Sequence, residues 1–363
     1  MTDLLQAQNI LVCLRWGIGD MVMEMPALDA LRNRLPKAGI TGIGAFPATE
    51  LMEGDVRLDA CRTYQEFGIG HWGDEGSAAK REGFGNWLRR MRFDAVLDPS
   101  HAPLAIGRAV WENKGRIFDA GQAWPDPVLQ GGGSCIESVN FAVRRGWGIP
   151  VPGNPNPKIR LAHEWERRAN DFFEKHFPDG DMVVALSPVA SSFLKTWPID
   201  NYRRLCHYLG ENGVNRLVFC GPSGPHPNDF LIENAGNGKI AFVKDVHLLY
   251  TASLLGGCRL LVCNDTGLMH VSAAVGTPVV GIFGPTDPRV YLPRDPPSSA
   301  VAPPETECRF RRTCTIGPAP CVLHQRCLAG HKPCIAGIPL EDVIAAVETF
   351  TGAVLPPPER HIP

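Results

Sequence analysis

Nowhere does this chain of 363 residues carry the continuous apolar run of ~20 residues that a membrane span requires. Its start, MTDLLQAQNI, lacks both the basic flank and the apolar core of an export signal. Neither sign of charge dominates: 36 basic residues against 38 acidic ones leave a formal net charge of −2, so no global basic field marks a nucleic-acid binder. These absences point to a cytoplasmic protein without nucleic-acid partners, and leave room for a peripheral contact with a membrane face. Also missing is the two-residue gap between cysteines that marks a zinc knuckle or ribbon.

Cysteine itself is not scarce, with 12 in the chain. Cys13, Cys206, Cys220, Cys258 and Cys263 sit in apolar surroundings and read as small core residues. Without an export signal, a disulfide framework is not expected. Cys308, Cys314, Cys321, Cys327 and Cys334 form a cluster with His324 and His331 among them, five or six residues lying between successive cysteines. Two readings stand for it: a structural metal clip, or a reduced, Cys-rich loop.

Hydrophobic content of 44% and charged content of 20% are those of an ordinary globular protein, and the length is enough for about two domains. Glycine (38) and proline (33) fit many short loops, and Leu355-Pro-Pro-Pro-Glu-Arg reads as a loose tail. Apolar runs predict strands at Asn9 to Leu14, Ile40 to Phe46, Phe93 to Leu97 and Gly115 to Phe118, with helical stretches between, one of them broken at Pro26. After the Gly/Pro-rich stretch Gly146 to Asn156 and a charged helix from Glu164 to Phe177, strands recur. They fall at Met182 to Leu186, Arg216 to Cys220, Ile240 to Val243, Leu260 to Cys263 and Val279 to Phe283. A helix from Leu340 to Thr349 closes the chain. Strand–helix alternation of this kind gives an α/β fold of doubly wound parallel sheets. Its two halves suggest two Rossmann-like domains facing a cleft, 1–155 and 156–338, with 339–363 as closing helix and tail.

Three strand ends carry chemistry. In Arg259–Pro288, a strand runs through Asn264-Asp265-Thr266-Gly267 into a small-residue helix, which aims free N–H groups and a positive dipole end at one spot suited to a phosphate. The plainer alternative is an ordinary β-loop-α unit with Asp265 or Thr266 as N-cap. Ser187 to Pro198 is a hydroxyl-rich strand end in which Lys195 either neutralises phosphate as a point charge or is a surface lysine beside a packing tryptophan, Trp197. In the first strand end, Gly17 and Gly19 let the backbone turn tightly, but G-x-G-D does not complete a dinucleotide fingerprint. Asp20 there is either a group at the ligand end of the sheet or an N-cap. Arg89, Arg90 and Arg92, with Arg32, Arg34, Lys37, Arg144 and Arg145, form either a surface for an anionic substrate or solvated helix faces.

Four segments taken together resemble glycosyltransferase family 9, the lipopolysaccharide heptosyltransferases. They are Gly19-Asp20 with Met25-Pro26-Ala27-Leu28 and Leu31; Lys195-Thr196-Trp197-Pro198; Asn264-Asp265-Thr266-Gly267-x-x-His270 with Gly276-Thr277-Pro278; and Phe283-Gly284-Pro285-Thr286-Asp287-Pro288. Order and spacing agree from about Asn9 to Val347, and the last two segments are the specific ones. The Cys-rich segment also resembles one found in many members.

The resemblance implies a GT-B architecture, with acceptor bound mainly by the first domain and nucleotide-sugar by the second. It implies inverting, metal-independent transfer, typically of a heptose from ADP-heptose to the inner core of lipopolysaccharide at the cytoplasmic membrane face. Asp20 would be the catalytic base, and Lys195 would stabilise the leaving diphosphate. Gly19, Ser187, Asp265, Thr266, Gly267, His270, Gly284 and Thr286 would line the donor site; His270 alternatively has a structural role. No cofactor beyond the donor substrate is implied. The loop after Cys220 departs from the family pattern in lacking a clear acidic residue for ribose, with Asp229 and Glu233 as loose candidates, which loosens the assignment of the donor. A branch of the superfamily glycosylates exported proteins and binds iron through cysteines, including a close pair absent here. A nucleotide-sugar epimerase and a silent nucleotide-sugar binding module are the competing classes.

Overall fold

The run Asn9–Cys13 forms β1, whose Ile10, Leu11, Val12 and Cys13 are fully buried. A parallel strand covered on both faces needs such an uninterrupted apolar sequence. The computed structural model describes residues 4–15, 17–70, 78–98, 116–119, 133–151, 156–221, 237–303, 320–330 and 334–352. The chain divides into two compact units, Met1–Arg160 and Leu161–Pro363.

In the first unit β1 is followed by α1 (Ile18–Arg34), β2 (Gly39–Gly44), β3 (Ala60–Thr63), α2 (Ala78–Met91), β4 (Ala95–Asp98), β5 (Arg116–Asp119) and α3 (Cys135–Trp147). Its strands make one parallel sheet in the order β3-β2-β1-β4-β5. Contrary to the expected break, α1 runs straight through Pro26. Losing one helical hydrogen bond and clashing with the preceding turn costs about 3 kcal/mol. Met21, Val22, Met23, Met25, Ala27 and Leu28 are each at most 3% exposed, and burial at ~1.5–3 kcal/mol for each large side chain outweighs that cost. The sequence reading has no counterpart of β3 or α3. The former is a half-exposed edge strand without an apolar run. The latter starts on a capping box in which Ser134 and Glu137 satisfy each other's backbone N–H groups.

The second unit runs α4 (His163–His176), β6 (Val183–Ser187), α5 (Ile199–Glu211), β7 (Asn215–Phe219), β8 (Ile240–Val243), α6 (Leu248–Gly256), β9 (Leu260–Asn264), α7 (Gly267–Ala274), β10 (Val279–Ile282), α8 (Pro288–Tyr291), β11 (Ser299–Val301), α9 (Pro320–Leu323) and α10 (Leu340–Thr351). Here too all pairings are parallel, in the order β11-β10-β9-β6-β7-β8. The chain therefore reverses its direction of travel between β6 and β9, as it does between β1 and β4 in the first sheet. Open α/β sheets bind ligands at the carboxyl ends of the strands beside such a switch point. The core is built from Leu186, Val262 and Ile282 of the strands with Trp197, Tyr202 and Leu205 on one side and Val343, Ile344 and Val347 of α10 packed against them.

Of the basic residues grouped in the sequence reading, the Arg89–Arg92 cluster and Arg32 are engaged away from these strand ends. Asn9 Nδ2, at the start of β1, donates to Met91 O at 2.7 Å, which places the Arg89–Arg92 end of α2 at the opposite, amino-terminal edge of its sheet. Arg32 is spent on Ala38 O and on Asp59, at 2.8 and 2.7 Å. Among the described residues no helix is long and apolar enough to cross a membrane.

Candidate active site

The second unit's switch point gathers the sequence-predicted residues of two separate motifs. Strand β6 ends on Ser187, 1% exposed and paired in register with Cys263 of β9. The chain then turns through Ser192, whose Oγ accepts from Leu194 N–H at 3.3 Å, into a tight helical turn, Phe193–Lys195. From the neighbouring strand, Asn264 Oδ1 accepts from Trp197 N–H at 2.9 Å. One residue later, Asp265 Oδ2 stands 2.7 Å from Lys195 Nζ, their side chains 7% and 16% exposed. Water screens such a pair poorly, so its charges act strongly on anything placed beside them.

Helix α7 starts immediately after this pair. Thr266 occupies its N-cap position with extended backbone (φ −147, ψ 164) but makes no side-chain capping bond, and the Asp265 carboxylate is committed to Lys195. Thr266 is thus the N-cap residue that the simpler sequence reading named, but no side chain caps the helix. The positive end of the α7 dipole therefore adjoins Lys195, the combination that receives phosphate groups. His270 lies one turn further on and is buried, 6% exposed. Beneath the turn, burial pushes the Cys263 thiol up, with the Asp265 charge adding to the effect. It is a core residue, as are the buried Cys13, Cys206, Cys220 and Cys258 in their expected places.

After β10, Gly284 packs where only a hydrogen fits: a Cβ there would stand 2.8 Å from Ile335 Cβ and 3.1 Å from Leu194 O. The Gly284–Pro288 turn thus bears directly on the Lys195 turn. Thr286 in it is buried, its Oγ1 without a hydrogen bond among the described residues. Asp287 caps α8 by accepting from Arg289 N–H at 2.9 Å.

The described part of the Cys-rich segment and the residues just after it support the same turn. Trp197 Nε1 donates to Ile338 O at 3.0 Å, and Ser192 Oγ donates to Gln325 Oε1 at 3.5 Å. Cys321 is buried and Cys327 and Cys334 half-buried. Among the described residues no three His, Cys, Asp or Glu side chains are grouped to hold a metal. Cys308, Cys314 and His331, like Asp229, Glu233 and the tail, lie outside the described residues.

In the first unit the N-cap of α1 is Gly17, so Asp20, the third helical residue, is not a cap. Its side chain is 46% exposed, with Oδ1 3.7 Å from Arg15 Nη1. A Cβ on Gly17 would overlap the Asp20 carboxylate, so glycine is what lets that carboxylate lie over the turn. Gly19 belongs to this turn, whereas all the other expected donor-site residues are in the second unit. Sequence reasoning gave no role to Asn264, Arg15 or Glu24. Arg15 N–H donates to Glu24 Oε2 at 3.1 Å, and Glu24 is fully buried. One acidic residue in the apolar run Met21-Val-Met-Glu-Met was the available signal for that bond.

A model of glycosyltransferase family 9 (heptosyltransferase) matches residues 132–319. Lipopolysaccharide heptosyltransferase 1 of Escherichia coli strain K12 is 32% identical over 290 residues, 77% of this chain and 89% of that protein. This chain belongs to glycosyltransferase family 9. Lipopolysaccharide heptosyltransferase 2 of Salmonella typhimurium strain LT2 is 28% identical over 300 residues, 75% of this chain and 81% of that one. Family 9 structures share the fold across both units. The glycosyl transferase family 9 from Veillonella parvula DSM 2008 superposes with a TM-score of 0.76 at 20% identity, covering 94% of this chain and 97% of that one. The E. coli ADP-heptose lps heptosyltransferase II gives 0.67 at 18% identity, covering 94% and 98%. The architecture is GT-B, as the resemblance implied.

Proposed function

We propose that this family 9 glycosyltransferase moves a heptose from ADP-heptose to a lipopolysaccharide inner-core or related glycan acceptor, with inversion at the anomeric carbon. The observation that carries the reading is the Lys195–Asp265 pair at the β6/β9 switch point, beside the uncapped start of α7. There the Lys195 ammonium, aimed by Asp265, and the first-turn N–H groups of α7 offer a diphosphate a sparsely hydrated set of donors. The names of the relatives, lipopolysaccharide heptosyltransferases 1 and 2, supply the sugar and the acceptor class.

In this reading the donor is held by Ser187, Lys195, Asp265, Thr266, Gly267, His270, Gly284 and Thr286 of the second unit together with Gly19 of the first, and the rest of the first unit holds the acceptor. Asp20 is the exposed carboxylate, and takes the proton from the acceptor hydroxyl as its oxygen bonds to the anomeric carbon. The bond from that carbon to the diphosphate oxygen breaks, and ADP leaves with the charge. Lys195 and the first-turn N–H groups of α7 stabilise that charge, so no cation is required. Arg15 holds the Asp20 carboxylate over the α1 turn. The enzyme works in the cytoplasm, touching the inner membrane face where its acceptor is embedded.

A calorimetric screen of ADP-, UDP- and GDP-sugars, followed by transfer assays of wild type, Asp20→Ala and an EDTA-treated sample, tests the reading. Expected are selective ADP-heptose binding, transfer unaffected by EDTA, and an Asp20→Ala enzyme that binds ADP normally but transfers at least about a hundredfold more slowly. Preference for a uridine or guanosine donor refutes the donor assignment, and full transfer by Asp20→Ala refutes the base.

A further inference from the structure

We infer that Asn264 is the positioning residue that sets Lys195 for the donor diphosphate, acting through the backbone of Trp197. The inference rests on the donor-site reading above. Asn264 is the last residue of β9 and is fully buried. Its Oδ1 accepts the Trp197 N–H at 2.9 Å. Trp197 precedes the Pro198 cap of α5, so neither the helix nor the sheet ladder uses that N–H, and the carboxamide supplies its acceptor.

Lys195 is two residues away along a chain with little freedom. On one side its own turn is closed by Lys195 N–H to Ser192 O at 3.0 Å and by Thr196 Oγ1 to Ser192 O at 2.9 Å. On the other side stands the Asn264–Trp197 bond, with the indole pinned at its far end to Ile338 O. Asn264 is also the covalent neighbour of Asp265. One residue therefore holds both members of the ion pair, Asp265 through the backbone and Lys195 through Trp197. The β6/β9 pairing brings the two segments together, and that coupling sets their side chains for the 2.7 Å contact.

The residue type follows from the charge. An aliphatic side chain would leave the Trp197 N–H buried and unpaired. Aspartate would restore the acceptor, but would bury a second carboxylate beside Asp265 that competes for Lys195 and repels a diphosphate. The amide meets the need without charge, although its Nδ2 makes no hydrogen bond among the described residues.

ADP binding to the full chain, measured by calorimetry on Asn264→Ala, Lys195→Met and the double variant, tests this. Tyr208→Phe, which loses the Glu348 bond elsewhere in the same unit, serves as a control for general destabilisation. Each site variant is expected to weaken ADP about tenfold or more, and the double to match Lys195→Met within about twofold, because Asn264 has no effect once the lysine it positions is gone. Tyr208→Phe should bind ADP like wild type. Independent, multiplying losses in the double variant, or wild-type affinity in Asn264→Ala, overturn the inference alone. Wild-type affinity in Lys195→Met overturns the donor-site reading and this inference with it. Should Asn264→Ala fail to fold, Asn264→Ser, whose hydroxyl is too short to reach Trp197, carries the same comparison.

Discussion

Replacing Lys195 with methionine keeps the length and apolar stem of the side chain and removes only its charge. The partner it abandons, the Asp265 carboxylate, is 7% exposed and cannot recover full hydration. Exposed ion pairs are worth about 0–1 kcal/mol, and breaking a fully buried one costs about 3–5 kcal/mol. With Lys195 at 16% exposure and the atoms 2.7 Å apart, the loss falls between, at about 2–3 kcal/mol. In a unit of this size each kcal/mol lowers the midpoint by roughly 2–4 °C, so the second unit should melt roughly 5–10 °C lower. Adding Asp265→Asn to Lys195→Met should restore much of that loss, because no carboxylate then remains buried without a partner. Differential scanning calorimetry of the two single variants and the double closes the cycle. A coupling energy under about 0.5 kcal/mol would show that the pair is not the organising contact inferred from its geometry. Under the proposed donor site the same lysine would give ADP a charge-assisted bond of about 1.5–3 kcal/mol, so Lys195→Met should bind ADP roughly ten- to hundredfold more weakly. Asp265→Asn should cost less, since it frees the cation while loosening its aim.

Three further outcomes follow from single contacts. Gly17→Ala pushes a methyl group into the Asp20 carboxylate; transfer should slow by roughly tenfold or more while ADP affinity and the melting midpoint barely change, and unaltered kcat would refute the role given to that carboxylate. Gly284→Ala overpacks against Ile335 and Leu194 O, for an expected loss of about 1–3 kcal/mol in chemical denaturation together with weaker ADP binding. A neutral result there would mean that the Gly284 turn does not bear on the Lys195 turn. Asp59 accepts from Ile40 N–H and Arg32, which hold its carboxyl below the ordinary 3.8. The resulting stabilisation is present above that pH and is lost as pH falls through the lower folded value. The stability gap between wild type and Asp59→Asn should therefore shrink on acidification; a gap that stays constant down to pH 2 would contradict the linkage.

Sequence by itself determined most of the strands and the places where they end. Buried parallel strands such as Asn9–Cys13 and Leu260–Asn264 require uninterrupted apolar runs, and their carboxyl ends must be followed by turn residues, so Gly17, Ser187 and Asp265 could be placed without coordinates. Edge strands and capped helices were less legible. The half-exposed Ala60–Thr63 has no apolar run, and Pro26 broke the pattern of a helix that burial holds together. What only the tertiary structure decided is which loop ends meet. Strand order put β6 beside β9, and that adjacency, invisible to local periodicity, pairs Lys195 with Asp265 and Asn264 with Trp197. It also sent the basic end of α2 to the wrong edge of its sheet for a substrate, and made Gln325, Ile335 and Ile338, in and just after the Cys-rich segment, a support for the Lys195 turn. Local sequence carries the propensity of each element, whereas contacts between distant residues arise from burying whole sheets, and that energy belongs to no single stretch of chain.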